Sequence, residues 1–194
     1  MEKSRCGWVG KDELYIKYHD EEWGVPVKDD AKQFEFLILE TFQAGLSWIT
    51  ILRKRENFRK AFDNFNYKKI AKYNEAKIQS LLKDEGIIRN QLKVRATVSN
   101  AQSFMKIQEE FGSFSDYIWG FVNQKPVNEK RKSLKDVPAT TELSDRLSKD
   151  LKKRGFKFVG STVVYAHLQA TGLVNDHIVD CFRHKEVNAD TQPY

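Results

Sequence analysis

The stretch from Lys32 to Arg55, KQFEFLILETFQAGLSWITILRKR, is a dense apolar run broken by few polar groups, and the rest of the chain has to be arranged around it. Phe34, Leu37 and Ile38 fall at i, i+3 and i+4, the buried stripe of a helix, and Leu46, Trp48 and Ile49 open a second apolar segment. Between them lies the small, flexible turn Gln43-Ala44-Gly45, with Ser47 placed to cap the second helix. Glu40 therefore sits at the end of the first helix, facing the turn. A carboxylate beside Phe42, Leu46 and Trp48 has two readings, because burying an unpaired charge is very costly. Either it is an exposed residue at a helix end, or it is a pocket acid facing an aromatic wall.

At 194 residues the chain is long enough for one domain with a proper core, or for two small lobes sharing a cleft. Its 33 Lys and Arg against 27 Asp and Glu give +6, and the pI of 9.2 favours a polyanionic partner without proving one. The first residues contain no apolar stretch of signal-peptide length and no segment approaches a membrane span, so a cytoplasmic protein with no membrane partner is expected. The only cysteines are Cys6 and Cys181, near opposite ends, and a disulfide between them is disfavoured in a reducing compartment.

The expected fold is mainly α. Arg5 to Val25 concentrates Cys6, Trp8, Tyr15, Tyr18, His19 and Trp23, and Gly24-Val25-Pro26 then breaks the chain before Asp29-Asp30 caps the helix that leads to Glu40. The next helix turns Ile51, Phe58 and Phe62 inward, with Arg53, Lys54, Arg55 and Lys60 on a solvated face. Short helices around Ile70 and from Asn74 to Leu82 end at Gly86, and an amphipathic helix follows with Val94, Val98, Ala101 and Met105 on one stripe. That glycine hairpin is either an ordinary helical turn or a phosphate-binding element, in which Arg89 and Lys93 would add charge to the helix N-terminus. Tyr117, Trp119 and Phe121 add aromatic core, 123–140 reads as a long surface connection, and Leu143, Leu147 and Leu151 face inward on a helix that Gly155 stops. Phe156 to Val159 is the one strand-like piece, Gly160-Ser161 opens a last long helix through Ala170, and 185–194 reads as a frayed polar tail.

His177 and Cys181 are four positions apart, which on a helix places both on one face, and Cys6 and His19 are the obvious second pair. Together they form a Cys₂His₂ set suited to tetrahedral zinc, against the plainer reading of ordinary buried residues. His184 is a further donor close to Cys181.

The chain resembles the bacterial 3-methyladenine DNA glycosylases of type I. The matching runs are Arg5 to Val9, Leu14 to Ile16, Tyr18 to Asp20, Glu22 to Pro26, Gln43 to Thr50, Gly86 to Arg89, Lys152 to Gly160 and Gly172 to His177, and they span the chain to about Cys181. The resemblance implies an all-α helix-hairpin-helix glycosylase unit over 1–184, with a terminal lobe of 1–45 plus 111–184, an internal lobe of 46–110, and a tail from 185. It implies one structural zinc held by Cys6, His19, His177 and Cys181. It also implies a pocket in which Glu40 reads a flipped base between walls of Trp8, Tyr15, Tyr18, Trp23 and Trp48. Gly45 and Leu46 would lie against the gap in the duplex, and Gly86, Ile87, Ile88 and Arg89 would hold the DNA backbone. The implied activity is hydrolytic release of 3-methyladenine from double-stranded alkylated DNA by a monomer, leaving an abasic site. Asn90 to Met105 holds no Asp or Glu to act on the sugar, which suits a cationic base that leaves without strong acid assistance. An anionic Glu40 between Trp48 and Tyr18 would favour such a base by charge and by cation–π contact. The alternative, a non-catalytic helix-hairpin-helix DNA-binding module, would need no acid in an aromatic pocket.

Overall fold

The computed structural model describes residues 3–43 and 45–189. Ala44 of the expected turn and residues 190–194 of the expected tail lie outside them, as do the side chains of residues 188 and 189. In chain order the helices are α1 (Glu13–Glu21), α2 (Asp30–Gln43), α3 (Trp48–Ala61), α4 (Tyr67–Ile70), α5 (Glu75–Lys83), α6 (Gln91–Phe111), α7 (Phe114–Gly120), α8 (Glu142–Lys153), α9 (Ser161–Ala170) and α10 (Phe182–Ala189). No described helix is long and apolar enough to cross a membrane.

Helix α2 is the axis. Phe34, Phe36, Leu37, Ile38, Leu39 and Phe42 are all fully buried and leave the helix in several directions, so it needs cover on every side. α3, α6, α7 and α9 supply it. Asp29 caps the helix by accepting from the Lys32 amide, whereas Asp30 reaches across to accept from the amides of Phe114 and Ser115 at the start of α7. The main core runs on through Phe58, Phe62, Phe104, Phe114, Leu147 and Leu168.

The two ends of the chain meet at two glycines. Gly24 has φ +80°, and a Cβ there would stand 2.8 Å from His177 Nε2. Gly172 has φ +72°, and a Cβ there would stand 2.5 Å from the Pro26 nitrogen. Val27 then donates to the Thr171 carbonyl, which holds the entry to α2 against the end of α9.

Several expectations are corrected. Phe156 to Val159 is not a strand: the Asn100 side chain accepts from the Lys157 amide and donates to its carbonyl, taking the groups a strand partner would need. The strands lie in segments read as loops, with Val127–Asn128 (β1) pairing in parallel with Val174–Asn175 (β2). The connection 123–140 is thereby pinned to the segment that leads to His177. Along α6, Val98 and Met105 are only half-buried, while Phe104 and Ile107 take the core positions. A shorter helix follows α9: residues 182–189 are helical with Val187 buried, so the expected fraying does not apply to that part of the tail. Arg55 is not on a solvated face: it is 7% exposed and donates to Glu22 and Glu35.

Candidate active site and metal cluster

Asp12 caps α1 by accepting from the amides of Leu14 and Tyr15. From that start, α1 sends Tyr15 and Tyr18 to one side and His19 to another. Trp8, in the turn before the helix, lies 4.9 Å from the Tyr15 ring, 5.3 Å from His19 and 5.1 Å from Trp23, centre to centre. One short segment thus carries the walls of a cavity and half of a ligand cluster.

The cavity has a volume of about 390 Å³, within the usual range for small-molecule sites. Trp8, Tyr15, Tyr18, Trp23 and Trp48 wall it, all five as expected, and Glu40 lines it as well. Tyr18 and Trp48 meet at 5.6 Å. Glu40 is 4% exposed, so the helix-end reading is excluded. No cation stands beside it among the described residues, and burial pushes its carboxyl up to about 8. Among the described residues nothing offsets that cost, so a cation placed beside the group would stabilise its ionised form.

The rest of the lining was not singled out from sequence: Gln43, Leu134, Val137, Ala166, Gln169 and Asp176. Gln43 lies in the turn after Glu40 and donates to the Leu46 carbonyl, fixing that turn. Leu134 and Val137 come from the connection that β1 pins. Asp176 stands next to an expected ligand, and its buried carboxylate accepts from Tyr165 Oη, Gln169 Nε2 and Arg131 Nε.

Behind the aromatic wall, Cys6, His19, His177 and Cys181 are all buried, and their donor atoms lie within 4.8 Å of one another. Neither cysteine is in a disulfide. Cys6 Sγ is 3.6 Å from His177 Nδ1, and Cys181 Sγ is 3.5 Å from His177 Nδ1 and 3.4 Å from His19 Nε2. A tetrahedron with Zn–S of about 2.3 Å and Zn–N of about 2.0 Å has S···N edges of about 3.5 Å, so these three edges match such an ion. The outward nitrogens are committed too. His19 Nδ1 faces Asp20 at 2.8 Å and His177 Nε2 faces the Trp23 carbonyl at 3.0 Å, arrangements that leave the inward nitrogens with their lone pairs. His177 and Cys181 lie on an irregular turn, not on the expected helix; the Cys181 amide donates to the Ile178 carbonyl. His184 points away, to the Glu129 carbonyl, and is not in the cluster.

The expected DNA-facing residues divide. Gly45, with φ +84° and open space around it, and Leu46, 37% exposed, form a protruding tip. Arg89 is exposed at the α5–α6 turn, 3.6 Å from Glu85. Ile87 is buried and Ile88 packs against the core, so their side chains anchor the hairpin. Gly86 has no room for a side chain, because a Cβ would meet Asp84 Oδ1 at 2.9 Å and Asn57 at 3.1 Å. Lys54 donates to the carbonyls of Glu85 and Gly86 and so steadies the hairpin instead of facing solvent. Lys93 is 7% exposed and donates to the Phe42 carbonyl at the end of α2, which removes it from the expected phosphate contacts.

Comparison with known proteins agrees with this geometry. Residues 8–184 match the family model described as methyladenine glycosylase. The chain is 50% identical over 177 residues to DNA-3-methyladenine glycosylase 1 of Escherichia coli, covering 91% of this chain and 95% of that protein. It superposes with TM-score 0.90 on a crystal structure of 3-methyladenine DNA glycosylase I, at 50% identity over 92% of this chain and 98% of the other. It superposes with TM-score 0.89 on 3-methyladenine DNA glycosylase I of Staphylococcus aureus, at 36% identity over 98% of this chain and 97% of the other. With a family model matched over residues 8–184 and half of the positions shared with a relative along nearly its whole length, this chain belongs to the methyladenine glycosylase family.

Proposed function

We propose that this protein removes 3-methyladenine from alkylated double-stranded DNA, acting on a nucleotide turned out of the stack and leaving an abasic site. The observation that carries this reading is Glu40: a buried carboxyl without a counter-cation, on a cavity walled by five aromatic rings. Such a group favours a flat cation over a neutral base twice, by charge and by contact with ring faces. A related glycosylase structure contains 3-methyladenine, which supports a base of that kind in the cavity.

Methylation at N3 makes the adenine in DNA cationic. As the bond from the base to C1′ breaks, its electron pair moves onto the ring and the base departs neutral. Water adds its oxygen to C1′ and releases a proton. The developing charge on the sugar needs no carboxylate after the hairpin, in keeping with the absence of Asp and Glu from Asn90 to Met105. The residues lining the cavity include no lysine, so no Schiff base forms and the strand stays intact. Leu46 at its exposed tip fills the gap left in the duplex, and Arg89 with the first turn of α6 holds a phosphate.

The same reading gives the Cys₂His₂ cluster one zinc ion, which supplies structure and no chemistry in the cavity. Cys6 and His19 on one side, His177 and Cys181 on the other, would tie the wall-bearing segment to the end of the chain.

The test is a side-by-side time course on duplexes carrying 3-methyladenine, 7-methylguanine or hypoxanthine. Release of free 3-methyladenine with hypoxanthine left in place is expected. Comparable release of hypoxanthine would show that leaving-group charge does not select the substrate, and no release of either would favour a non-catalytic DNA-binding module.

A further inference from the structure

The segment between α8 and α9 is strained around one side chain. Phe156 and Val159 are buried, at 3% and 0% exposure, while Phe158 between them is 38% exposed. In an extended chain the side chains of 156 and 158 would point the same way, and both phenylalanines would enter the core. Phe158 instead has φ +59°, a left-handed conformation that strains a bulky residue, and its ring reaches solvent while Phe156 stays inside.

Buried groups enforce that conformation. Asn100, fully buried on α6, accepts from the Lys157 amide at 2.8 Å and donates to its carbonyl at 3.0 Å, and Ser148, buried on α8, donates to the Val159 carbonyl at 2.7 Å. Two helices thus brace a strained turn whose outcome is an exposed aromatic ring. The surface around it is basic. Lys152, Lys153 and Lys157 are exposed, neither Lys152 nor Lys157 forms an ion pair among the described residues, and the carboxylate of Asp150 is taken by Arg154 and Tyr117.

The turn is also close to the cavity. Ser161 opens α9 directly after it, and Ala166 on that helix lines the cavity, a rise of about 8 Å along the axis. On α6, Lys93 meets the end of α2, from which the Gly45–Leu46 tip projects, and Asn100 lies on the same face at a further rise of about 10 Å.

We propose that Phe158, presented by this strained turn among Lys152, Lys153 and Lys157, is a second DNA-docking point beside the cavity, its ring packed against deoxyribose and its lysines on phosphates. This rests on the DNA glycosylase reading of the cavity. Such a contact carries no base information, so it acts on affinity for the duplex and not on which base is released.

The experiment measures binding of a duplex bearing a tetrahydrofuran abasic-site analogue by fluorescence anisotropy across a salt series. Binding of free 3-methyladenine and its release from alkylated duplex are measured in parallel. Phe158→Ala is expected to weaken duplex binding about tenfold, as loss of an aromatic contact predicts. Lys157→Ala is expected to flatten the slope of log affinity against log salt by about one unit. Both variants bind the free base like the parent. Phe158→Gly separates docking from folding: glycine adopts the left-handed conformation without strain, so the thermal midpoint is expected to hold or rise while duplex affinity falls as in Phe158→Ala. Unchanged duplex affinity in Phe158→Ala, or a loss of affinity in Phe158→Gly that comes with a lowered midpoint, overturns the docking assignment and leaves the 3-methyladenine reading intact. A parent that binds the duplex but releases no 3-methyladenine overturns that reading, while the affinities of the variants still decide the docking point. A parent that binds no duplex overturns both.

Discussion

The ligand cluster and the cavity share the segment from Cys6 to Trp23, yet they are built on opposite principles. In the cluster each histidine nitrogen has a partner: the inward ones face sulfur, and the outward ones face Asp20 or the Trp23 carbonyl. In the cavity the carboxyl of Glu40 has no cation beside it, and the buried indole N–H of Trp48 has no partner among the described residues. Leaving such groups unpaired costs roughly 1–3 kcal/mol each. The difference teaches which region is there to hold the fold and which is there to be completed by something else. The two are also in contact, because Trp23 lies 4.5 Å from His177 and Trp8 lies 5.3 Å from His19. The satisfied region is the buttress of the unsatisfied one.

The largest effect should come from breaking the buttress. Structural zinc in small peptides contributes about 10–16 kcal/mol, so Cys181→Ser or removal of the metal by chelation is expected to lower stability by more than ~5 kcal/mol here. For a chain of this size that is a fall of about 10–20 °C in the thermal midpoint. Elemental analysis and calorimetry check it. A folded, active protein without metal would end the zinc proposal.

Next comes the stability hidden in Glu40. Its carboxyl is raised from 4.5 to about 8 in the folded chain, so between those values the folded state holds a proton that the unfolded state has released. Stability is then greatest below pH 4.5 from this group and declines as pH rises to about 8, by up to ~4–5 kcal/mol on full ionisation. Glu40→Gln cannot ionise. It should match the parent in urea unfolding near pH 4.5 and exceed it by a few kcal/mol at pH 8.5. Parallel unfolding curves at both pH values would mean that the carboxyl has a counter-charge after all.

The same variant should lose activity while gaining stability. A charge-assisted contact to a cationic base is worth about 1.5–3 kcal/mol, so excision of 3-methyladenine should fall by one to two orders of magnitude. Excision at the parent rate by a folded Glu40→Gln would make the residue structural and erase the contrast drawn above. The smallest effect is expected at Arg89→Ala. Affinity for DNA with an abasic site should drop modestly, and the slope of binding against log salt should flatten by about one unit, with base preference unchanged. A change in base preference at constant affinity would remove Arg89 from the DNA backbone.

Much of this was legible in the chain itself. The four cluster residues, Glu40 and all five aromatic walls were read from the sequence and its resemblance, because ligands and pocket rings are set by residue type in recognisable runs. What was not legible depended on partners far away in sequence. Arg55 and Lys93 read as surface charges, since nothing local shows that Glu22, Glu35 or the Phe42 carbonyl will meet them. Phe156 to Val159 has the composition of a strand, but the side chain of Asn100 takes its backbone groups first. Gln169 and Asp176 escaped notice for a related reason: each looks like an ordinary polar residue until α9 and the turn before His177 are brought together.

The meeting of the chain ends also has a consequence for how the protein comes into being. Cys6 lies 171 positions before His177, and Trp23 rests edge-on against the His177 ring, so part of the support for the aromatic segment comes from the far end of the chain. During synthesis, which proceeds at about 5–20 residues per second, the aromatic segment is made first and its support last. A product truncated before His177 therefore lacks the ring that Trp23 leans on, although the rest of the wall-bearing segment is already made.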